Sequence, residues 1–440
     1  MVKIIRNEPP WLTEHRWPNA SADTTAIENK VRDIVNEVQR RGDLALIEYT
    51  QQFDAVKLTP AEFKVTKEEI IEAYNLVKPE TIEALRGARD RLAENETKRL
   101  KGLEFTTTFK GVTIRHETRP LRRVGCYVPG GKAAYPSSLI MNVTPAKVAG
   151  VNEVIVTTPP GKNGNVSPLT LVAADICEVD AVYRIGGAQA VAALAFGTET
   201  VPRVDKIVGP GNQYVTTAKS LVQKWVAIDK PAGPTEILVI ADDSADPRLI
   251  ALDLVSQAEH GPGGICGLVT DSVAIGEAVN DELEEIVKSA PRSEYVNKVL
   301  EEGGFILIVA NMDEASDFTN KFAPEHVEVM TRNPRILIER IRGAGLILLG
   351  PYSPVSASDY AYGVNHVLPT GGYGKIVGGL TVLDYVKPIS IVESTLEGLE
   401  TIRGSIVALA EAEGLPNHAR AVEGMFTQLT SMTRYRGSKA

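Results

Sequence analysis

The sequence has few cysteines, and none of them are paired at metal-binding or redox spacing. Cys126, Cys177 and Cys266 lie far apart along 440 residues, and no C-x-x-C pair occurs. An odd number of cysteines at such distances indicates neither a disulfide framework nor a cysteine metal site. The pattern favours a protein that works in a reducing compartment.

Long apolar runs and clusters of basic residues are also absent. No run approaches the roughly 20 apolar residues of a membrane span, and residues 1–7 lack the apolar core of a signal peptide. The net charge is -9, and the 47 lysines and arginines are scattered along the chain. These features argue against a membrane or nucleic acid as a partner and predict a cytoplasmic protein.

The sequence does carry the pattern of a mixed α/β protein. Its composition, 43% hydrophobic and 23% charged, is ordinary for a globular protein, and a length of 440 residues favours two domains. Residues 24–41 carry an apolar stripe at helical spacing, which predicts an amphipathic helix. Short apolar runs then alternate with helical patterns from about 121 to 241 and again from 247 to 349. This alternation predicts two α/β units with parallel sheets.

Seven of these apolar runs are predicted strands. They lie at 154–156, 206–208, 237–240, 265–269, 304–309, 327–330 and 345–349. Beyond 350 the sequence becomes irregular and rich in Gly, Ser, Tyr and Pro, and a long stretch of this kind in a compact protein is usually functional. The chain closes with two helical patterns, at about 395–412 and 417–431.

The side chains that can ligate a metal or move protons near neutral pH are concentrated in a few places. Four of the six histidines lie in short runs, each near a carboxylate or an amide. The five runs of this kind are Ser256–His260, Phe322–His326, Asp359–Tyr360, Gly363–His366 and Glu413–His418.

A metal site is one interpretation of these runs. In a helix predicted over 247–260, Gln257 and His260 are three residues apart in the last turn and therefore project from one face. Asp359 and His418 are candidate distant ligands for zinc, which takes four ligands of nitrogen, sulfur or oxygen type. The alternative is a helix-terminal His260 that binds the carbonyl groups of its own helix.

Glu325 and His326 stand side by side at the edge of an apolar run. Because neighbouring residues on a strand point in different directions, the two suit separate tasks better than one hydrogen-bonded dyad. His326 is the candidate base for an alcohol proton, and Glu325 is the candidate activator of a water molecule. A solvated Glu-His pair in a loop is the alternative.

No stretch matches the G-x-G-x-x-G fingerprint of dinucleotide sites. Two glycine-containing runs, Gly186–Gln189 and Gly209–Asn212, nevertheless lie where a predicted strand turns into a helix. Open α/β sheets bind ligands at such turns, and the helix amides there attract phosphate. A dinucleotide site is one interpretation, and tight turns that need glycine for positive φ are the other.

Taken together, the runs resemble the histidinol dehydrogenase family across essentially the whole chain. The motifs that carry the resemblance, in order, are Val128–Gly131, Gly186–Ala190, Gly209–Asn212, Pro231–Pro234, Gln257–His260, Pro324–His326 and Asn365–Thr370. The resemblance implies a homodimeric enzyme of histidine biosynthesis with one zinc per subunit. Such an enzyme oxidises L-histidinol through L-histidinaldehyde to L-histidine and reduces two NAD+.

The resemblance also implies roles for individual residues. The implied metal ligands are Gln257, His260, Asp359 and His418. The implied catalytic residues are His326, as the base for both hydride transfers, and Glu325, as the activator of water. The implied substrate contacts are Thr235, Gln257, His260, His326, Asp359, Glu413 and His418, of which Glu413 and His418 come from the partner subunit. The implied nucleotide contacts are Tyr127, Gln189 and Asn212.

The fold implied by the resemblance is α/β, with two Rossmann-like domains that contain parallel sheets. An N-terminal helical segment and a C-terminal helical arm exchanged in the dimer complete it. The expected borders are 1–23 for an N-terminal arm, 24–120 plus 236–375 for the domain with the metal and catalytic residues, 121–235 for the nucleotide-binding domain, and 376–440 for the C-terminal arm.

Three positions depart from the family pattern. Thr235 stands in place of a serine, Ser358 in place of a glycine, and Lys387-Pro388 in place of a lysine-arginine pair. They leave open a zinc- and NAD-dependent dehydrogenase of the same scaffold that acts on another polar alcohol, such as a sulfonated diol. Glu413 favours histidinol, since a carboxylate would repel a sulfonate. A third interpretation, a non-catalytic zinc-stabilised binding protein, is disfavoured by the intact Glu325 and His326.

Overall fold

The computed structural model describes residues 2–6, 9, 12, 25–130, 134–230 and 233–437, with side chains up to 426. Most of the predicted arm at 1–23 lies outside the described residues, as do Gly131, Pro231 and Ala232 of the motifs. The chain divides into two compact units. The first consists of Met1–Lys98 and Pro120–Tyr385, and the second consists of Arg99–Arg119 and Val386–Ala440.

Strands and helices alternate through most of the chain. The strands are β1 (Lys3–Ile5), β2 (Phe105–Phe109), β3 (Val112–Pro120), β4 (Arg123–Tyr127), β5 (Glu153–Thr157), β6 (Ala181–Tyr183), β7 (Lys206–Val208), β8 (Ala227–Ile228), β9 (Glu236–Ala241), β10 (Ile265–Thr270), β11 (Gly304–Ile308), β12 (His326–Met330), β13 (Leu346–Leu349) and β14 (Val386–Ser394). The helices are α1 (Thr25–Arg41), α2 (Asp43–Asp54), α3 (Pro60–Phe63), α4 (Lys67–Tyr74), α5 (Pro79–Lys101), α6 (Pro136–Ala149), α7 (Pro168–Ile176), α8 (Gly187–Phe196), α9 (Gln213–Val222), α10 (Pro247–Ala258), α11 (Val273–Ser289), α12 (Ser293–Gly303), α13 (Met312–Phe322), α14 (Pro334–Ile338), α15 (Val355–Tyr360), α16 (Leu396–Ala412) and α17 (Pro416–Gly437), with 3₁₀ turns at Tyr373–Lys375 and Val382–Tyr385.

A five-stranded parallel sheet forms part of the first unit. Its strand order is β6-β5-β4-β7-β8. The chain order reverses between β4 and β7, so the carboxyl ends of these two strands open a crevice at a topological switch point. In β5, four of the five residues are buried, because helices cover both faces of the sheet.

A six-stranded parallel sheet forms the rest of the core of the first unit. Its order is β1-β11-β10-β9-β12-β13, with the reversal between β9 and β12. One face packs on α10, α11 and α12, and the other face packs mainly on α13 and α14. Strands β9 to β13 therefore contribute apolar side chains to two core layers. The predicted α/β class with parallel sheets is confirmed.

The predicted domain borders stay a prediction. Within the range 24–120, α1 and α2 pack against α8 of the five-stranded sheet, and α1 also packs against α9. The predicted apolar stripe of α1 is buried there through Val31, Ile34, Val35 and Val38. A helix with one apolar face is stable only when that face is covered, and the alanine-rich α8 allows close approach.

The second unit holds a three-stranded sheet in the order β14-β3-β2. Strands β2 and β3 form an antiparallel hairpin whose turn residues, Lys110 and Gly111, both have positive φ. The two helical patterns at the end of the sequence are confirmed as α16 and α17. Throughout the described part of the chain, no helix combines the length and the apolar character that crossing a membrane requires.

Candidate active site

The candidate catalytic residues lie at the amino-terminal edge of the six-stranded sheet. Strand β12 begins at His326 and pairs with β9, where His326 lies opposite Ile237. Helix α10 follows β9 and returns to the same edge, so that Gln257 lies in its last turn and His260 just beyond it. The parallel topology thus brings together residues that are about 70 positions apart in sequence.

Local sequence explains where α10 begins and ends. The side chain of Asp246 accepts a hydrogen bond from the backbone N–H of Arg248, and Pro247 occupies the first helical position. At the other end, Gly261 has a φ of +135° and terminates the helical turn. Gln257 is buried and His260 is exposed, so the last turn presents one ligand candidate to the interior and one to solvent.

The hydroxyl group of Thr235 links Gln257 to Glu325. It accepts a hydrogen bond from Nε2 of Gln257 and donates one to Oε2 of Glu325 at 2.7 Å. The amide group is thereby oriented through its nitrogen, and its Oε1 atom is buried without a hydrogen-bond partner among the described residues. A buried amide oxygen in this state fits a cation, because otherwise its desolvation is uncompensated.

Asp359, on the short helix α15, lies near His260. The distance from Oδ2 of Asp359 to Nε2 of His260 is 3.8 Å, which is too long for a hydrogen bond. Two ligand atoms on one tetrahedral zinc are about 3.4 Å apart, since each is about 2.1 Å from the metal. Burial raises the pKa of Asp359 to about 7. The nitrogen and oxygen donors of this pair, and the amide oxygen of Gln257, are atom types that zinc binds.

Within the described ranges, no group of three His, Cys, Asp or Glu side chains is arranged to hold a metal. The reason is the composition of the candidate set, in which Gln257 is an amide rather than one of these four types. His418 belongs to the second unit, where it lies in the first turn of α17. Glu413 caps the carboxyl end of α16, and both side chains are exposed on that unit.

His326 has the hydrogen bonding of a neutral base. Its Nδ1 atom is 3.2 Å from the backbone carbonyl oxygen of Glu236, which can only accept, so Nδ1 carries the proton. Its Nε2 atom is buried and has no partner in the part of the chain that the structure describes. Burial lowers the pKa of His326 to about 3. The imidazole is therefore neutral at neutral pH, and the lone pair of its Nε2 atom faces the buried space beside it.

Glu325 is buried beside His326 but is not hydrogen-bonded to it. Its Oε2 atom is 3.7 Å from Nδ1 of His326 and accepts from the backbone N–H of Glu236 at 2.9 Å. Burial raises the pKa of Glu325 to about 8, against the opposing effect of its two hydrogen-bond donors. A carboxyl group with such a pKa suits proton exchange with water near neutral pH.

The candidate nucleotide contacts line one cavity of about 970 Å³ at the carboxyl edge of the five-stranded sheet. Tyr127 ends β4, and its hydroxyl group accepts from the backbone N–H of Gly187 at 3.2 Å. Gln189 lies in the first turn of α8, and Asn212 caps α9 through its Oδ1 atom. The switch point between β4 and β7 thus brings the three residues together.

The glycine of the β7–α9 turn has a conformation that other residues rarely adopt. Gly209 has a φ of +113°, and a Cβ atom there would lie 2.1 Å from the carbonyl oxygen of Tyr127. Its N–H donates to Asp229 at 2.8 Å, and its carbonyl oxygen accepts from Lys219 at 2.9 Å. Lys219 and Asp229 form a buried ion pair. The tight-turn interpretation of this glycine is confirmed, and the turn borders the cavity.

Three residues of these sites had no predicted role. The backbone of Glu236 contacts both Glu325 and His326, but a backbone contact leaves no mark in the sequence. His366 donates from Nδ1 to the carbonyl oxygen of Asp359 at 3.0 Å, and its place in a histidine run was the available signal. Asp54 lines the cavity at the end of α2, in a stretch without a motif.

Comparison with known proteins agrees with this architecture. The histidinol dehydrogenase family profile matches residues 18–425. A histidinol dehydrogenase of Methanopyrus kandleri is 46% identical over 427 residues, which cover 96% of this chain and 99% of that protein. One of Methanocaldococcus jannaschii is 44% identical over 393 residues, which cover 89% and 91%.

A solved structure agrees over nearly the full length. The crystal structure of histidinol dehydrogenase from Elizabethkingia anophelis superposes with a TM-score of 0.91 at 35% identity, and the match covers 98% of this chain and 99% of that chain. The profile, the sequence identities and the superposition each span most of the chain. The chain therefore belongs to the histidinol dehydrogenase family.

Proposed function

We propose that the protein oxidises L-histidinol through L-histidinaldehyde to L-histidine and reduces two NAD+ in histidine biosynthesis. Family membership supports this reaction, as does a cavity of about 970 Å³ at a dinucleotide-type switch point. The observation that carries the proposal is His326, a buried neutral imidazole whose Nε2 lone pair is free among the described residues. Such a group is the base that an alcohol oxidation needs.

The donor set supports one zinc ion per subunit. Gln257, His260 and Asp359 of one chain would hold it, with His418 of the partner chain as the fourth ligand. When bound, a zinc ion would supply a template for the amino and imidazole nitrogens of the substrate and so would orient it. Thr235 and Glu413 would complete the substrate contacts, and Tyr127, Gln189 and Asn212 would bind NAD.

The proton transfers follow from the residues around the sheet edge. In the first oxidation, Nε2 of His326 takes the hydroxyl proton while a hydride leaves the carbinol carbon for NAD+. Glu325, in its ionised form, then takes a proton from the water that adds to the aldehyde carbon, while the protonated His326 returns its proton to the carbonyl oxygen and becomes neutral again. In the second oxidation, His326 takes a hydroxyl proton from the hydrate while a second hydride leaves. Histidinol, one water and two NAD+ thus give the acid, two NADH and the released protons, so the reaction balances.

We also propose a homodimer in which the C-terminal arm at 376–440 is exchanged, so that Glu413 and His418 reach the site of the other subunit. The domain roles are proposed with it: 24–120 plus 236–375 carries the metal and catalytic residues, and 121–235 binds the nucleotide. Cytoplasmic localisation fits a biosynthetic enzyme that uses NAD.

The substrate is tested by comparing alcohols on the same preparation. Zinc-loaded protein is assayed for NADH formation with L-histidinol and, in parallel, with a sulfonated diol. We expect a kcat/KM for histidinol at least about 100-fold above that for the diol. The sulfonate of the diol would be a buried charge without a matching partner, and such a charge lowers kcat/KM by more than a factor of about 100. Turnover of the diol alone would show that a protein with this fold acts on a different alcohol.

A further inference from the structure

Two carboxyl groups are buried inside an otherwise apolar core layer. This layer lies between the six-stranded sheet and helices α10 to α12 and contains Leu254, Met330 and Leu348. Asp253 on α10 is 7% exposed and Glu328 on β12 is 0% exposed. Neither carboxyl group has a role in the reaction described above, and a buried carboxylate without a cation is costly.

The positions of the two groups relate them directly to the active site. Alternate residues of a strand share one face, so Glu328 lies on the same face of β12 as His326. Residues four apart on a helix lie one turn apart, so Asp253 lies one turn before Gln257. The pair therefore joins the strand that carries the base to the helix that carries candidate ligands.

The chemistry of the pair requires a proton. Two facing carboxylates repel, and neither oxygen of Glu328 has a hydrogen-bond partner of good geometry in the described chain. The two side chains act on each other electrostatically, and a single proton between them would form an O–H···O hydrogen bond. Burial and the charge of Asp253 raise the pKa of Glu328 well above its ordinary range, and burial raises that of Asp253.

The described residues around Asp253 and Glu328 are mostly apolar and do not compete for this proton. Across β9 and β13 the residues beside Glu328 are Val239 and Leu348, which are apolar. The backbone N–H of Val355, at the start of α15, opposes the rise in the pKa of Glu328. On α10, Asp253 is flanked by Leu254 and Val255 of the same core layer. Among the described residues, each of the two carboxyl groups therefore interacts chiefly with the other.

We propose that Asp253 and Glu328 share one proton and act as positioning residues that fix α10 against β12. Their hydrogen bond holds the last turn of α10, with Gln257 and His260, at a set distance from His326. This inference rests on the proposed function. A purely stabilising contact does not need a polar pair, because apolar side chains of similar volume in such places are often as stable or more stable.

The role is tested with two variants of Glu328 that differ in polarity. Glu328→Gln keeps an N–H donor for Asp253, and Glu328→Met keeps a similar volume without a donor or acceptor. Zinc affinity is measured by chelator competition without substrate, and kcat is measured with L-histidinol. We expect Glu328→Gln to stay within about threefold of wild type, and Glu328→Met to lose about 10–100-fold in zinc affinity or kcat, as outer-shell partners of metal sites do.

The shared proton has its own readout. A carboxyl group whose pKa is raised in the folded state stabilises that state below its ordinary pKa, and the contribution disappears as pH rises through the raised value. The Tm of metal-free full-length wild type should therefore fall towards alkaline pH, and that of Glu328→Gln, which has no proton to lose there, should fall less.

Each outcome decides a separate claim. Equal zinc affinity and kcat in Glu328→Gln and Glu328→Met would overturn the positioning role, and parallel alkaline declines in Tm for wild type and Glu328→Gln would overturn the shared proton. If Glu328→Met does not fold, the pH comparison with Glu328→Gln decides. Absence of histidinol turnover in wild type would contradict the proposed function but leave the zinc and Tm comparisons valid.

Discussion

The hydroxyl group of Thr235 ties a candidate metal ligand to a candidate water activator. A hydroxyl group has one proton, which Thr235 donates to Glu325 while it accepts from Gln257. The serine usual at this position in the family has the same hydroxyl group. The departure at Thr235 is therefore compatible with the family chemistry at this atom.

Removing that hydroxyl group should impair the site. Thr235→Val keeps the branched shape but leaves Gln257 and Glu325 each without one hydrogen bond. Two such losses at about 1–1.5 kcal/mol each predict a fall in kcat of about 30–150-fold. Steady-state kinetics with L-histidinol checks this, with Thr235→Ser as the matched control that should stay within about threefold. A Val variant as active as the Ser variant would contradict the proposed link.

His326 and His260 should separate catalysis from metal binding. His326→Asn removes the base, so kcat should fall by about 10²–10⁴ while bound zinc is unchanged. His260→Asn should lower the zinc content and the activity together, because His260 lies with Asp359 in the candidate ligand set. Metal analysis of both purified variants, alongside kcat, provides the check. Equal metal loss in the two would refute this division of roles.

At the scale of single residues, the sequence predicted the residues of the site better than the hydrogen bonds that link them. The Glu325-His326 run and the Gln257/His260 spacing pointed to the residues that the sheet edge brings together. Glu325 and His326 are both held by the backbone of Glu236, whose carbonyl oxygen accepts from His326 and whose N–H donates to Glu325. Backbone groups are the same in every residue, so no sequence pattern predicts such a link.

At the scale of elements, a buried ion pair holds the turn between β7 and α9. Lys219 binds the carbonyl oxygen of Gly209, and its partner Asp229 accepts from the N–H of the same glycine. Both side chains of the pair are almost fully buried, at 3% and 1% exposure. The pair fixes the two polar backbone groups of Gly209, in the turn whose last residue, Asn212, lines the candidate nucleotide cavity.

Breaking this pair should cost stability. Lys219→Met leaves Asp229 buried without its cation, which predicts a loss of about 3–5 kcal/mol in the free energy of unfolding. Lys98→Met is the control, because its ion pair with Glu94 has side chains 73% and 68% exposed, and surface pairs contribute little to stability. Denaturant unfolding of both variants gives the comparison. A loss at Lys219 no larger than at Lys98 would disprove the structural role of the pair.

Most of the strands that sequence patterns predicted are buried on two faces, although the buried strands β4 and β6 were not predicted. Strands β5 and β9 are almost wholly buried and therefore appear as continuous apolar runs. Strand β14 was not predicted, because most of its nine residues are exposed and its sequence contains Pro388. The irregular stretch after 350 contains the short helix α15, whose six residues are too few for a helical period to stand out.

At the scale of the whole molecule, the first unit uses opposite edges of its two sheets. The candidate nucleotide cavity lies at the carboxyl edge of the five-stranded sheet, as open α/β folds lead one to expect. The candidate catalytic residues Glu325 and His326 lie at the amino edge of the six-stranded sheet. The alternation of apolar runs predicted two α/β units, but it does not encode which edge carries chemistry.

A site shared between subunits should show complementation. His418→Ala and His326→Asn are each expected to be inactive, since one lacks a proposed ligand and the other lacks the base. Mixing them under conditions of subunit exchange forms hybrid dimers in which one of the two sites has both residues. Recovery of up to about a quarter of wild-type activity is expected, because random pairing gives half hybrids with one intact site each. Proven exchange without recovery would rule out the shared site.

The central claim is a four-electron oxidation by one active site. The direct measurement is the number of NADH molecules formed for each L-histidinol consumed by the zinc-loaded protein, followed to completion with excess NAD+. The account predicts two NADH and L-histidine as the product, because in the proposed mechanism Glu325 activates the water that hydrates the aldehyde and His326 is the base in both oxidations. One NADH per histidinol, with L-histidinaldehyde as the end product, would contradict it.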